Sequence, residues 1–320
     1  MTLNRYNHFV NCVESLRRNT RSKEVRLVIA LDYPSHERHW EGYRKICEYL
    51  KQDFKEFHSV EIIKRQTNFG AGKNFREARE YLFEKYDKII CSEDDNIFSP
   101  NFFDYILKGF ERYADCETVF AVCGYSYPVH WGEDSNTIVM SPTLYSAWGF
   151  GIWRDRYQRY YAEYNENYIW ELARDRKRLM RIRKKNKSLF FYLISDIGED
   201  KIHKGDSGIS IYITDKNYRC VLPKKSLVRN MGFDGSGLHC KEPQKFVFSE
   251  QVIDDSLEFE YQYEDFTNET KNMKLLDKFS NQGLLKNMRV MMEYVLFRMV
   301  GLSKYTKIKS MAKRILRGDR

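Results

Sequence analysis

Two spacings of apolar residues alternate along the N-terminal part of the chain. Phe9, Val13 and Leu16 recur at helical spacing within residues 6–19. VRLVIALDYP (25–34) is instead a continuous apolar run ending in Asp32 and Pro34, the pattern of a buried strand meeting a loop. Residues 38–56 return to the helical period through Trp40, Tyr43, Ile46 and Leu50, and SVEIIKRQ (59–66) is strand-like. The Gly-bearing loop TNFGAGKN leads into a helix over roughly 73–86, and KIICSEDD follows as a strand that ends in three acids. Ser99 and Pro100 have the residue types of an N-cap and a first helical position, ahead of Phe103, Ile106 and Phe110 on one helix face. TVFAVCGYSY (118–127) predicts another strand.

Beyond residue 128 the alternation weakens. SAWGFGIWRDRY (146–157) predicts an aromatic, Gly-rich turn into a helix, and 166–194 predicts helix with a dense basic stretch, RDRKRLMRIRKKNK. HKGDSGISIYITDKN (203–217) begins a further element, and RCVLPKKSLVRNMGFDGSGLHC predicts a strand followed by a polar Gly loop. Residues 241–282 are irregular and partly acidic, and the chain from 283 is helical and basic. Helix and strand alternating at this rhythm imply crossovers and a mainly parallel sheet covered on both faces. In such sheets ligands bind outside the carboxyl ends of the strands. Asp32 and the acids at 93–95 both lie at such ends.

Composition narrows the class. The 320 residues are 42% hydrophobic and 31% charged, which describes a folded rather than a disordered chain. Cys12, Cys47, Cys91, Cys116, Cys123, Cys220 and Cys240 are scattered, with no C-x-x-C pair, against a disulfide framework or a structural zinc site and in keeping with a reducing compartment. The start, MTLNRYNHFVNC, carries polar residues where a leader would be apolar, and no run of eighteen apolar residues predicts a membrane span. GAGKN (70–74) is not a Walker loop, because Asn74 follows Lys73 and no Gly lies five positions before Gly72. The basic run lacks aromatic interleaving, so no nucleic acid is expected.

Glu93, Asp94 and Asp95 carry the sharpest chemistry. Adjacent like charges repel, so the triplet is solvated, serves the positive end of the following helix, or faces a cation. The run IIC delivers the acids directly from the core, and Ser99 is available to cap the helix. That placement favours a hard cation, Mn2+ or Mg2+, held by one or two carboxylates plus substrate phosphates.

Taken in order, LNRYNHFVNCVESL, then NFGAGKN with IICSEDDNIFSPNFFDY, then SAWGFGIWRDRY, and more loosely GDSGISIY with LVRNMGFDGSGLHC, resemble GT-A glycosyltransferases. The similarity is to bacterial family 2-like enzymes and, more distantly, to N-acetylglucosaminyltransferase I, and it spans about residues 3–240. It implies an α/β GT-A fold, Rossmann-like, with a mainly parallel sheet flanked by helices. The expected division is a nucleotide-sugar-binding and catalytic domain over 1–240, an irregular extension over 241–282 and a helical tail over 283–320. By the same resemblance Asp95 ligates a metal bridging a nucleotide-sugar diphosphate, with Glu93 and Asp94 on ribose or donor sugar or supporting the metal through water. Arg5 and Asp32 match nucleotide contacts, Asn68 and Lys73 lie in the loop beside that pocket, and Trp148 shapes the donor and acceptor site. Asp206 falls where inverting members place a catalytic carboxylate, and His239 is placed to reach the metal or diphosphate.

Two departures stand out. Members begin with a full apolar strand ahead of the Asn-Arg turn, whereas Met1-Thr2-Leu3 alone precede it here; they also commonly carry Trp where this chain has Gly208. The implied reaction moves a hexosyl or N-acetylhexosaminyl group from a nucleotide diphosphate to a glycan or lipid-linked acceptor in surface polysaccharide synthesis (lipopolysaccharide, capsule or exopolysaccharide). A divalent ion stabilises the departing diphosphate, and a carboxylate takes the acceptor proton. A sugar- or nucleotide-binding module without catalysis and a nucleotidyltransferase are the alternatives. From 283 the chain holds ten Lys or Arg and two acids among apolar residues. Such a segment suits an anionic membrane surface, placing the protein in the cytoplasm and peripherally on the inner face of the plasma membrane.

Overall fold

The apolar periods fold as helices and short strands in a computed structural model that describes residues 1–199, 202–236, 248, 250–263, 268–281 and 283–317. The N-terminal alternation gives α1 (Tyr6–Arg17), β1 (Arg26–Leu31), α2 (Trp40–Tyr49), β2 (Ser59–Lys64), α3 (Gly70–Lys85) and β3 (Lys88–Cys91). Then follow β4 (Asn96–Phe98), α4 (Phe102–Arg112), β5 (Val119–Cys123), β6 (Ile138–Ser141) and β7 (Phe150–Trp153). Five helices come next: α5 (Arg154–Glu163), α6 (Glu166–Arg174), α7 (Arg176–Lys185), α8 (Lys187–Glu199) and α9 (Asp206–Lys216). β8 (Arg219–Pro223) and β9 (Val228–Asn230) precede α10 (Glu269–Ser280), α11 (Leu284–Val300) and α12 (Leu302–Arg317).

The result is a mixed α/β architecture, but not a mainly parallel one. β1 and β2 pair in parallel, Arg26 opposite Ser59 through Leu31 opposite Lys64. A five-stranded sheet has the order β3-β7-β5-β8-β6, with β7 antiparallel to both β3 and β5. β4 and β9 form a separate antiparallel pair. The expectation missed β7 because FGIW is four residues long and holds a glycine, so its alternation is too short to distinguish it from a turn.

Two further expectations are corrected. Ser99 does not cap α4, which begins at Phe102 after Asn101; the Ser99 hydroxyl is buried and donates to Asn101 Oδ1 at 2.6 Å. The helical stretch 166–194 is three helices, because Asp175 accepts from Lys177 N and Arg178 N and Asn186 accepts from Leu189 N, each opening a new helix.

The chain forms two compact units. The first comprises Met1–Val139, Ser146–Asp155 and Val221–Glu264; the second comprises Met140–Tyr145, Arg156–Cys220 and Asp265–Arg320. These do not follow the linear division at 240 and 282, because α10, α11 and α12 pack with α8 of the second unit. In the first unit α4 buries Phe102, Ile106 and Phe110, with Phe110 edge-on to Trp153 at 5.0 Å. In the second, Tyr160 and Tyr164, with Tyr168 of α6, cluster around Tyr212 of α9. Each buried side chain of this size contributes about 1.5–3 kcal/mol of transfer free energy. Among the described residues no helix is long and apolar enough to cross a membrane.

Candidate functional site

The carboxyl ends of β1 and β3 meet through one residue of the N-terminal segment. Thr2 N donates to Ala30 O at 3.1 Å and Thr2 O accepts from Asp32 N at 2.9 Å, so the segment runs parallel to β1 for one bridge. The Thr2 hydroxyl then donates to Asp94 Oδ2 at 2.7 Å. Asp32 and Asp94, 62 positions apart by number, thereby share a buried support. The second link is Arg5, at the start of α1. Its guanidinium bonds Asp94 Oδ1 and lies 2.8 Å from Asp95 Oδ2, one planar fork serving two carboxylates.

This arrangement answers how adjacent acids can be buried. Burial works against the Arg5 charge, but Asp94 and Asp95 more than restore it and raise its pKa. Burial also pushes the Asp95 carboxyl above its ordinary value, with the Arg5 charge opposing the shift and Asp94 adding to it. Beneath the cluster the Cys12 thiol donates to Glu93 O at 3.6 Å, and burial pushes that thiol up to about 12, so it stays neutral. Glu93 itself is half-buried.

β9 closes the other side. Asn230 Nδ2 donates to Asp95 Oδ1 at 3.2 Å, and Met231 N donates to Asp95 O at 2.8 Å. Gly232 follows, where an added Cβ would stand 2.2 Å from Asp95 Oδ2; only glycine leaves the carboxylate its place. Next in the chain, Asp234 pairs with His8 at 2.8 Å and accepts from Ser236 N and Oγ. Burial opposes ionisation of Asp234, yet the Ser236 and His8 bonds outweigh it and hold the carboxyl at about 2. Trp148 is half-buried and forms an edge-on aromatic wall with Tyr125 at 4.6 Å and with Phe233 and Phe248 at 5.7 Å.

Of the residues singled out in the sequence, Arg5, Asp94, Asp95 and, through Thr2, Asp32 form one bonded cluster. Asn68 and Asp32 come together as a clamp: Asp32 Oδ1 accepts from Phe69 N at 2.8 Å, and Asn68 Nδ2 donates to Tyr33 O at 2.5 Å and to Asp32 Oδ2 at 3.4 Å. Lys73 is exposed in the first turn of α3, its Nζ 4.2 Å from the Phe69 ring centroid and 3.6 Å from Glu77. Asp206 belongs to the second unit, exposed as the first residue of α9. His239 lies outside the described residues.

Sequence reasoning missed Thr2, Asn230 and Gly232. Thr2 carries no signal, since its role depends on where the segment crosses β1. The run Asn230-Met231-Gly232 was legible only as a polar turn after a strand. Gly208, where the resembling family commonly carries Trp, has a structural cause: an added Cβ would lie 1.9 Å from His203 O.

The donor set bears on the implied cation. Asp94 and Asp95 offer only oxygens, and among the described residues no three His, Cys, Asp or Glu side chains converge as a cage. Mn2+ or Mg2+ held by one or two carboxylates, with phosphate and water supplying the rest, fits that set. Comparison of the chain with protein-family models and with curated proteins finds no match.

Proposed function

We propose that the protein is a metal-dependent glycosyltransferase that moves a sugar from a nucleotide diphosphate to a glycan or lipid-linked acceptor. The observation that carries this reading is the pair of buried carboxylates Asp94 and Asp95 at the carboxyl end of β3, bridged by the single guanidinium of Arg5. A site that needs one guanidinium to balance two acids is built to exchange partners with a cation and an anion together. Asp95 would hold the metal, with Asp94 beside it. When bound, the ion supplies Lewis-acid stabilisation of the departing diphosphate.

The chain's own residues do the remaining work. Arg5, whose planar fork now serves the two carboxylates, would offer the same paired donors to phosphate oxygens of a bound diphosphate. The Asp32–Asn68 clamp holds the loop before α3 against the nucleotide side, and the Trp148 wall offers a face on which a sugar ring stacks. By the resemblance, the role of the carboxylate that takes the acceptor proton as the glycosidic bond forms and the sugar–phosphate bond breaks, in an inverting displacement, would fall to Asp206.

Thermal stabilisation and nucleoside diphosphate release, measured over a panel of nucleotide sugars with and without Mn2+, test the reading. A matching donor raises the melting temperature only with metal. Asp95→Asn loses that rise and about 10²-fold or more of turnover, while Asp206→Asn keeps the rise and loses turnover by about 10²–10⁴. Metal-independent stabilisation would overturn the role of Asp95, and pyrophosphate release would identify a nucleotidyltransferase instead.

A further inference from the structure

We infer that His203 and the buried Asp196 are positioning residues for Asp206, fixing the turn from which α9 presents that carboxylate. All three lie in the second unit, and the inference rests on the proposed transfer for the proton that Asp206 takes.

The sequence of α8 places one acid in apolar company. In SLFFYLISDIG (188–198) the only charged residue is Asp196, and Leu193, Ile194 and Ile197 around it are buried. Asp196 is buried with them, its side chain 6% accessible. A carboxylate taken from water is costly unless a charge or a hydrogen bond offsets the loss. His203, seven positions on, sets its Nδ1 2.6 Å from Asp196 Oδ1. An imidazole that faces a carboxylate through Nδ1 donates from that nitrogen. The ring is exposed, yet its orientation is set from the interior of the unit.

The next residue is tied to α5. Tyr160 Oη donates to Lys204 O at 3.1 Å, and Lys204 Nζ donates to Tyr161 O at 3.3 Å. Gly205 then opens α9 with extended backbone, and Ile209 N donates to its carbonyl at 2.9 Å. A glycine has no side chain to cap the helix, so no cap fixes how the chain enters α9. The bonds of His203 and Lys204 do so instead. Gly208 grips the same turn from the helix side, where an added Cβ would stand 1.9 Å from His203 O and 2.8 Å from Tyr160 Oη. Asp206 thus sits between two anchored points, His203–Lys204 and Gly208. A carboxylate that accepts a proton must lie within hydrogen-bond reach of it, and a misplacement of about 1 Å costs about 10²-fold in rate.

The test follows nucleoside diphosphate release from the nucleotide-sugar panel with Mn2+, using variants of the full chain. His203→Ala is expected to lower turnover by about 10²-fold while keeping the metal-dependent rise in melting temperature with donor. His203→Asn restores most of the turnover, because its amide nitrogen stands where the imidazole Nδ1 does; His203→Gln, which reaches further, does not. Asp196→Leu suits the apolar surroundings, keeps the fold and shows the same loss as His203→Ala. Combined with Asp206→Asn, neither change lowers turnover further, since both act through Asp206. Losses that multiply with that of Asp206→Asn would overturn the inference alone, as would full turnover in His203→Ala or equal rescue by Asn and Gln. A wild-type protein that releases no nucleoside diphosphate from any donor would overturn the proposed reaction, and the inference with it.

Discussion

Arg5 is the residue on which the site's electrostatics turn. Its fork bonds both Asp94 and Asp95, and its charge opposes the burial that raises the Asp95 carboxyl. A carboxyl raised in the folded state binds more protons there than in the unfolded chain, so its contribution is complete below the unfolded value and declines as pH rises through the folded one. Arg5→Met removes the opposing charge, raises Asp95 further and steepens that decline, by up to about 1.4 kcal/mol per pH unit for one proton. Denaturant unfolding of wild type and variant is therefore expected to differ little near pH 4 and by about 3 kcal/mol near pH 7. A difference independent of pH would show that Arg5 acts by packing alone. Glycine at 232 belongs to the same account, since the space it leaves is filled by Asp95 Oδ2.

Among the elements, α9 shows how the second unit is pinned. Its Asp215 is buried and accepts from Arg178 Nη2 at 2.5 Å, Arg181 Nη2 at 3.0 Å and Tyr168 Oη at 2.6 Å, tying α9 to α6 and α7. Burial opposes its ionisation, but the Arg178, Tyr168 and Arg181 bonds hold the carboxyl below its ordinary value. The stabilisation is present above the unfolded value of about 3.9 and is lost as pH falls through the depressed one. Asp215→Asn should destabilise the protein by about 2–3 kcal/mol near pH 7, less than a fully buried pair because both arginines still reach solvent. The same substitution should cost little once Asp215 is protonated in acid. A loss unchanged between neutral and acid pH would contradict the ion-pair account. Part of the basic run, Arg178 and Arg181, is thus absorbed internally, by α9.

On the scale of the molecule, the net charge of +9 and one helix face point the same way. α11 buries Val290, Tyr294 and Phe297, yet exposes Leu285, Met288, Met292, Val295 and Met299, with Leu285 83% and Met299 79% accessible. At 3.6 residues per turn those five fall on one stripe opposite the buried face, with exposed Lys286, Arg289 and Arg298 outside it. An apolar stripe bordered by cations suits a bilayer with anionic headgroups. Flotation with anionic vesicles should recover the protein, weakening with salt. Replacing Met288, Met292 and Met299 by Ser should reduce recovery by about tenfold or more. Unchanged flotation with an altered oligomeric state would assign the stripe to self-association.

The pattern of apolar residues by itself determined most helices and strands up to residue 127, though not β4 or the start of α4, and it placed the acids at the end of β3, because local periodicity and burial of a short run are written in consecutive residues. It did not determine sheet direction, since β7 inserts between β3 and β5 from far along the chain. Nor could it show that Thr2 and Asn230 serve the carboxylates, or that Gly232 makes room for Asp95; those contacts join residues up to 137 positions apart by number and exist only once the backbone has folded. Charge compensation was hidden for the same reason. A run of acids looks repulsive in one dimension, and the guanidinium that balances it arrives from the start of α1, brought within bonding distance by the packing of α1 against β4.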